Sequence, residues 1–273
     1  MSHSVTAVAP TGADAWTAVG TITVPAGAKS VKKVVLGVSH DAGTAAATVH
    51  WAPVFRLIGS GLLEQSPHEY VGNGDDIPLV AATAGQAISN DKPIIYDVDI
   101  PVAVGGTIDL QVNSLDEVAT GQVTAMLVFS DEQAGGSNSM SQYVDAAIPA
   151  AVDAWTAVGT ITVPQSKEGA SPKAIKEIVC GFIPDIAATA VSERVATRFR
   201  MTGSGLAEGG NHEYIGSMAG CGNVVTGPGA YDDMLVRYKL NVPVNAGGQI
   251  LVETIHETEL CDGGTSVFGV LYQ

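Results

Sequence analysis

The chain has 273 residues, 46% hydrophobic and 15% charged, with 13 Lys and Arg against 28 Asp and Glu for a net charge of −15. So apolar a chain buries a substantial core rather than staying disordered. So acidic a surface excludes phosphate-backbone binding, which needs clustered Lys and Arg; the densest basic pair is Lys32-Lys33.

The 32 Gly and 13 Pro, with abundant Ala, Val and Thr, favour short β-branched strands joined by tight turns. In chain order, strands are predicted over 4–8, 16–24, 31–39, 48–58, 77–81, 94–100, 107–114 and 124–129. The strongest period-two alternation is in Thr21-Ile-Thr-Val, Tyr96-Asp-Val-Asp-Ile and Thr107-Ile-Asp-Leu-Gln-Val. Residues 131–139, Asp-Glu-Gln-Ala-Gly-Gly-Ser-Asn-Ser, read as a polar linker. Strands then follow over 155–163, 175–183, 195–202, 234–242, 249–256 and 267–272. No stretch reads as an amphipathic helix, and none approaches 18 apolar residues, so no membrane-spanning helix is expected. The start, Met-Ser-His-Ser-Val-Thr-Ala-Val, lacks the basic-then-apolar order of a secretory leader.

The second series of strands repeats the first. Residues 1–25 align without gaps on 140–164, with 17 of the 25 positions identical and a twelve-residue run, 14–25 against 153–164, unchanged. Residues 31–72 align on 175–216, placing Phe55-Arg56 on Phe199-Arg200, Gly59-Ser-Gly-Leu62 on Gly203-Ser-Gly-Leu206 and His68-Glu-Tyr70 on His212-Glu-Tyr214. Later, Ile100-Pro-Val102 falls on Val242-Pro-Val244 and Gly105-Gly106 on Gly247-Gly248. A period near 139 residues is a whole domain, far beyond the 20–50 residues of a solenoid unit. The fold class is therefore all-β: two tandem homologous β-sandwich, jelly-roll-like domains from an internal duplication, 1–133 and 140–273, with a linker at 134–139. The diverged segments 73–92 and 217–231 are where specific contacts are expected.

The residues that recur are the candidates for chemistry. His68-Glu69-Tyr70 and His212-Glu213-Tyr214 place a His beside a Glu, but no His-x-His accompanies them, and neighbours on a strand point to opposite faces. They read as structural anchors. Asp14-Ala-Trp16 and Asp153-Ala-Trp155 also read as structural anchors, the Trp plugging the core at a strand start and the Asp satisfying turn amides; the alternative is a sugar platform, an aromatic face beside an acid. Gly59-Ser-Gly61 and Gly203-Ser-Gly205 are strand turns, because a nucleophile elbow needs Gly-x-Ser-x-Gly before a helix. Asp75-Asp76, Asp232-Asp233, Asp97 and Asp99 lack the spacing of a calcium loop. Cys180, Cys221 and Cys261 all lie in the second copy, and their odd number argues against a disulfide framework; Cys180 reads as core. Trp51 has no counterpart in the second copy and is assigned to an interface. No catalytic, cofactor-binding or metal residue is assigned, and no cofactor is expected.

Two tandem eight-stranded sandwiches of small-residue composition, without an active-site signature, resemble the double jelly-roll major capsid proteins of icosahedral viruses with an internal membrane. The resemblance spans the whole chain and rests on architecture and duplication, with no diagnostic motif, so it assigns no functional residue. It implies a homotrimer whose two domains per chain form a pseudo-hexagonal capsomer. Its partners would be itself and other virion proteins, without direct nucleic-acid contact, in a virion assembled in the host cytoplasm. Trimer interfaces are then expected to involve residues 75–89 and 219–229. The alternatives are a carbohydrate- or surface-binding β-sandwich module and, more remotely, a bicupin-type metal enzyme.

Overall fold

The computed structural model describes residues 1–8, 15–40, 49–51, 53–64, 67–72, 75–77, 93–114, 121–134, 141–147, 153–165, 171–183, 193–221, 235–256 and 265–272. Ten strands precede residue 131: β1 (Ser2–Val8), β2 (Thr17–Thr23), β3 (Ser30–His40), β4 (Val49–Trp51), β5 (Pro53–Ile58), β6 (His68–Val71), β7 (Asp75–Ile77), β8 (Ile94–Pro101), β9 (Thr107–Ser114) and β10 (Gly121–Ser130). Eight follow: β11 (Ser141–Ala147), β12 (Thr156–Thr162), β13 (Ala174–Ile183), β14 (Glu193–Thr202), β15 (His212–Cys221), β16 (Leu235–Pro243), β17 (Gln249–His256) and β18 (Thr265–Tyr272). No helix occurs among the described residues, so none is long and apolar enough to cross a membrane.

The strands form four antiparallel four-stranded sheets and one small pair, β4–β7. In the first half the sheets run β1-β10-β3-β8 and β2-β9-β5-β6; in the second, β11-β18-β13-β16 and β12-β17-β14-β15. Leaving β4 and β7 aside, both halves share one connectivity, that of an eight-stranded jelly roll. The chain is thus two β-sandwiches.

Period-two alternation builds each core. Along β9, Ile108, Leu110 and Val112 are buried, and along β8, Tyr96, Val98 and Ile100 are, while Ile95 and Asp97 on the opposite face of β8 are exposed. Phe55 and Phe199 sit at equivalent positions on β5 and β14, both fully buried. One side of each sandwich is closed by β1 over β2 (and β11 over β12), which requires glycine beneath it. A Cβ on Gly20 would lie 2.9 Å from Val5, and one on Gly159 2.8 Å from Val144. The Gly-Ser-Gly motifs are the turns leaving β5 and β14, where Gly61 N–H donates to Thr107 O at 2.7 Å and Gly205 N–H to Gln249 O at 2.8 Å.

Four expectations from sequence change. His68–Val71 and His212–Cys221 are strands β6 and β15, where the sequence indicated anchors outside the strands. Ser141–Ala147 is a seven-residue strand although its alternation is weak. The predicted strand 48–58 is split, because β4 leaves the sheet of β5 to pair with β7, Trp51 opposite Asp75. The strand expected at 77–81 begins at Asp75; residues 78–81 lie outside the described residues.

Gly59 (φ 124°) and Gly203 (φ 118°) have left-handed backbones, and a Cβ would meet Thr107 O at 2.4 Å and Gln249 O at 2.5 Å. Gly59→Ala and Gly203→Ala are each expected to cost roughly 2–3 kcal/mol in urea unfolding. Gly37→Ala, with no heavy atom nearer than 3.8 Å, should stay within about 0.5 kcal/mol of the parent.

Candidate functional site

The recurring residues gather at two places in each sandwich. The first is the outer face of the β2-β9-β5-β6 sheet and its counterpart. Arg56 on β5 stands opposite Gln111 on β9 and Glu69 on β6, and its Nε–H donates to Gln111 Oε1 at 2.6 Å. In the second sandwich Arg200 stands between Glu253 and Glu213 and makes two bonds to Glu253, at 2.6 and 3.0 Å. These guanidiniums lie over the half-buried tryptophans: Arg56 is 4.2 Å from the Trp16 ring centroid and Arg200 4.3 Å from that of Trp155. Cation–π stacking of this kind is worth about 0.5–1 kcal/mol at an exposed site. It also covers one face of each indole, the face a sugar platform would offer.

The second place is the side of each sandwich opposite the β1–β2 closure, where β6 and β8 edge the two sheets. Tyr70 on β6 and Tyr96 on β8 meet there, ring centroids 4.9 Å apart, and Tyr96 O–H donates to Val71 O at 2.6 Å, tying one sheet to the other. Tyr214 and Tyr238 repeat this on β15 and β16, with centroids 5.4 Å apart and Tyr238 O–H donating to Ile215 O at 2.7 Å.

The two edges differ in what lies on them. The first is capped by the outer face of the second sandwich's β11-β18-β13-β16 sheet. Val179, Val267 and Leu271 join the first sandwich's core, and Tyr143 and Leu235 pack against it. Arg237, held by Glu177 at 2.7 Å, lies 4.4 Å from the Tyr96 ring centroid, and the Tyr143 backbone N–H bonds to the Glu69 carboxylate. The gap between the sandwiches, bordered by Tyr70, Tyr96, Ser141 and Val179, holds about 10 Å³, at most about one water. Burial drives the Tyr70 and Tyr96 phenols well above their ordinary range and raises Glu69. Among the described residues the second edge carries no such cap: Ile215 is 58% exposed where its counterpart Val71 is 2% exposed, and the Tyr214 phenol, pushed up to about 12 by desolvation, is half-buried.

The remaining candidates fall outside any reactive cluster. His68 is fully buried on β6 with Glu64 Oε2 3.3 Å away, whereas its counterpart His212 is half-exposed and Glu208 exposed. Asp99 pairs with Lys32 at 2.6 Å and Asp97 with Lys33, whose hydrogen bond holds the Asp97 carboxyl below its usual range. Cys180 is buried in β13, its thiol pushed up to about 12 by burial. No group of three metal-ligating residues occurs among the described residues. Asp14, Asp232, Asp233 and Cys261 lie outside the described residues, as do the side chains of Trp51, Asp75, Asp76 and Cys221. Of the segments expected at trimer interfaces, 78–89 and 222–229 likewise lie outside them. The signal for the tyrosine edge in the sequence is the recurrence of Tyr96 as Tyr238 near the start of matching strands.

No family model matches the sequence, and no curated protein does. Among solved structures, the chain is similar to the STIV major capsid protein at 10% identity and TM-score 0.44, over 99% of this chain and 96% of that one. It is equally similar to a peptide-N(4)-(N-acetyl-beta-D-glucosaminyl) asparagine amidase, at 9% identity and TM-score 0.44, over 100% and 96%. The PBSX exported protein XepA follows at 10% identity and TM-score 0.19, over 97% and 89%. One neighbour is a capsid protein and another an amidase, so these distant likenesses assign no activity to the chain.

Tyr96→Phe leaves Val71 O without its donor in a sealed interface and is expected to cost about 1–3 kcal/mol by urea unfolding. Tyr238→Phe, at the open edge where water replaces the phenol, should cost less than half as much. A separate pH dependence follows from His256, buried at the end of β17 and lowered from 6.5 to about 4 by desolvation. The unfolded chain protonates at a higher pH than the folded one. His256 therefore makes stability fall as pH drops from about 6.5 to about 4, by on the order of 2–3 kcal/mol. His256→Gln should flatten that part of the stability–pH curve.

Proposed function

We propose that the chain is a structural, shell-forming subunit: the capsid protein of an icosahedral virus, built as a trimeric pseudo-hexagonal capsomer. The observation that carries this reading is the way the sandwiches meet. One jelly roll covers the open edge of its homologue through a contact with an apolar centre, and among the described residues the same edge recurs uncapped on the second jelly roll. Two like units joined by a repeatable contact are what a tiling subunit needs, since near-equivalent faces meet successive neighbours with near-equivalent bonds. In this reading the domains are 1–133 and 140–273 with a linker at 134–139. The partners are further copies of the chain and other virion components, the acidic surface leaves the genome to other proteins, and assembly takes place in the host cytoplasm. The covered indole faces weigh against a sugar-binding module, and the ion pairs that occupy Asp97 and Asp99 weigh against a carboxylate metal site.

Light scattering across a salt and concentration series tests the reading. The expected result is a trimer, near three times 27.9 kDa, or larger closed particles. A chain that stays monomeric at high salt and high concentration overturns it.

A further inference from the structure

The capped and uncapped edges can be compared position by position, because the duplication supplies the correspondence. Offset 144 places Val71 on Ile215, and offset 142 places Tyr96 on Tyr238. The surface that caps the first edge has a counterpart as well, the outer face of the β1-β10-β3-β8 sheet. One row across that sheet is Ser4, Met126, Val35 and Ile95, read from the strand pairings. The matching row of the second sandwich is Tyr143, Gly269, Val179 and Arg237.

In the second sandwich this row is spent on the first. Val179 is 4% exposed and Arg237 covers Tyr96. In the first sandwich the same row is open. Ile95 is 51% exposed, Met126 and Val35 are half-exposed, and β1 is exposed at Ser2 and Ser4 where β11 is buried at Ser141 and half-buried at Tyr143. Among the described residues the chain therefore presents an unfilled edge, at Tyr214, Ile215 and Tyr238, and an unused cap of the kind that fills such an edge.

We propose that the β15–β16 edge of one chain receives the outer β1-β10-β3-β8 face of a second copy, so that Ile215 of one chain packs on Met126 of the other and Ile95 lies against Tyr238. The proposal rests on the assembly reading above and names its contact surfaces. The occupant is a second copy because the contact continues an interface already formed once within the chain, by homologous surfaces.

The substitutions suit the contact. A Cβ on Gly269 would stand 3.0 Å from Val71, so the intramolecular contact needs a glycine there, with the bulk carried by Tyr143 on the neighbouring strand. In the open row the bulk is moved one strand over: Ser4 replaces Tyr143 and Met126 replaces Gly269. An unbranched Met adapts to the larger Ile215 opposite it. An aliphatic Ile95 replaces Arg237 above the tyrosine ring. The two surfaces on one chain differ, so the contact is heterologous and runs head to tail, closing into a ring when its rotation allows.

The test co-expresses chains carrying Ile215→Cys with chains carrying Met126→Cys, both with Cys221→Ser and Cys261→Ser, under mild oxidation. A covalent dimer from the pair, absent from either variant alone, is the expected result. Ile215→Glu, at a side chain exposed in the single chain, should leave the fold intact by circular dichroism and raise the dissociation constant of the oligomer at least tenfold. An oligomer that survives Ile215→Glu unchanged and yields no cross-link overturns this contact and leaves the capsid reading standing. Dimers from Ile215→Cys alone would show a two-fold contact between like edges and overturn it as well. A parent chain that is monomeric throughout overturns both.

Discussion

A jelly roll closes on one side by bringing its first strand over its second, and the opposite side, between β6 and β8, stays open. In this molecule that open side is bridged by the hydrogen bond from the Tyr96 phenol to Val71 O, supported by the Tyr70 ring. Two tilted aromatic rings and a bridging hydroxyl at a sandwich margin expose apolar surface and an edge strand. Edge strands are a liability unless something covers them. The second sandwich supplies the cover, and most of what distinguishes the two halves follows from which of them has it.

Burial, acidity and charge partners at equivalent residues diverge for this reason. Tyr70 and Tyr214 are the same residue on the same strand, yet the first is sealed and the second half-open. His68 is fully buried and His212 half-exposed. Val71 joins a continuous core while Ile215 stands out from the surface. The differences at Tyr70 and Val71 accompany the contact with the covering sheet of the second sandwich. A function built on repeating that contact is served by keeping both copies of the motif nearly unchanged.

The arginine–tryptophan faces tell a contrasting story. Trp16 and Trp155 each lie under the equivalent arginine, Arg56 or Arg200, and Trp155 has Arg198 at 5.6 Å as well. The chemistry of this face is internal: guanidinium on indole, flanked by Gln111 in one copy and Glu253 in the other. Aromatic and charged residues that look like a binding site in one dimension are here satisfied by one another.

The sequence by itself determined the duplication, the all-β class and most of the strands, because twelve unchanged residues and period-two alternation are local facts. Thr107–Ser114 and Gln249–His256 are strands as read, since along most of each a fully buried residue alternates with a more exposed one. Strand β6 escaped because it has four residues and begins with His-Glu; β11 escaped because both of its faces are partly covered, which erases alternation. The tertiary structure alone decided the jelly-roll order of the strands, the covering of Trp16 by Arg56, and the use of one tyrosine edge with the other left free. Each of these depends on residues distant in sequence whose apolar faces must find a partner, and a linear pattern says that such a face exists without saying what will cover it.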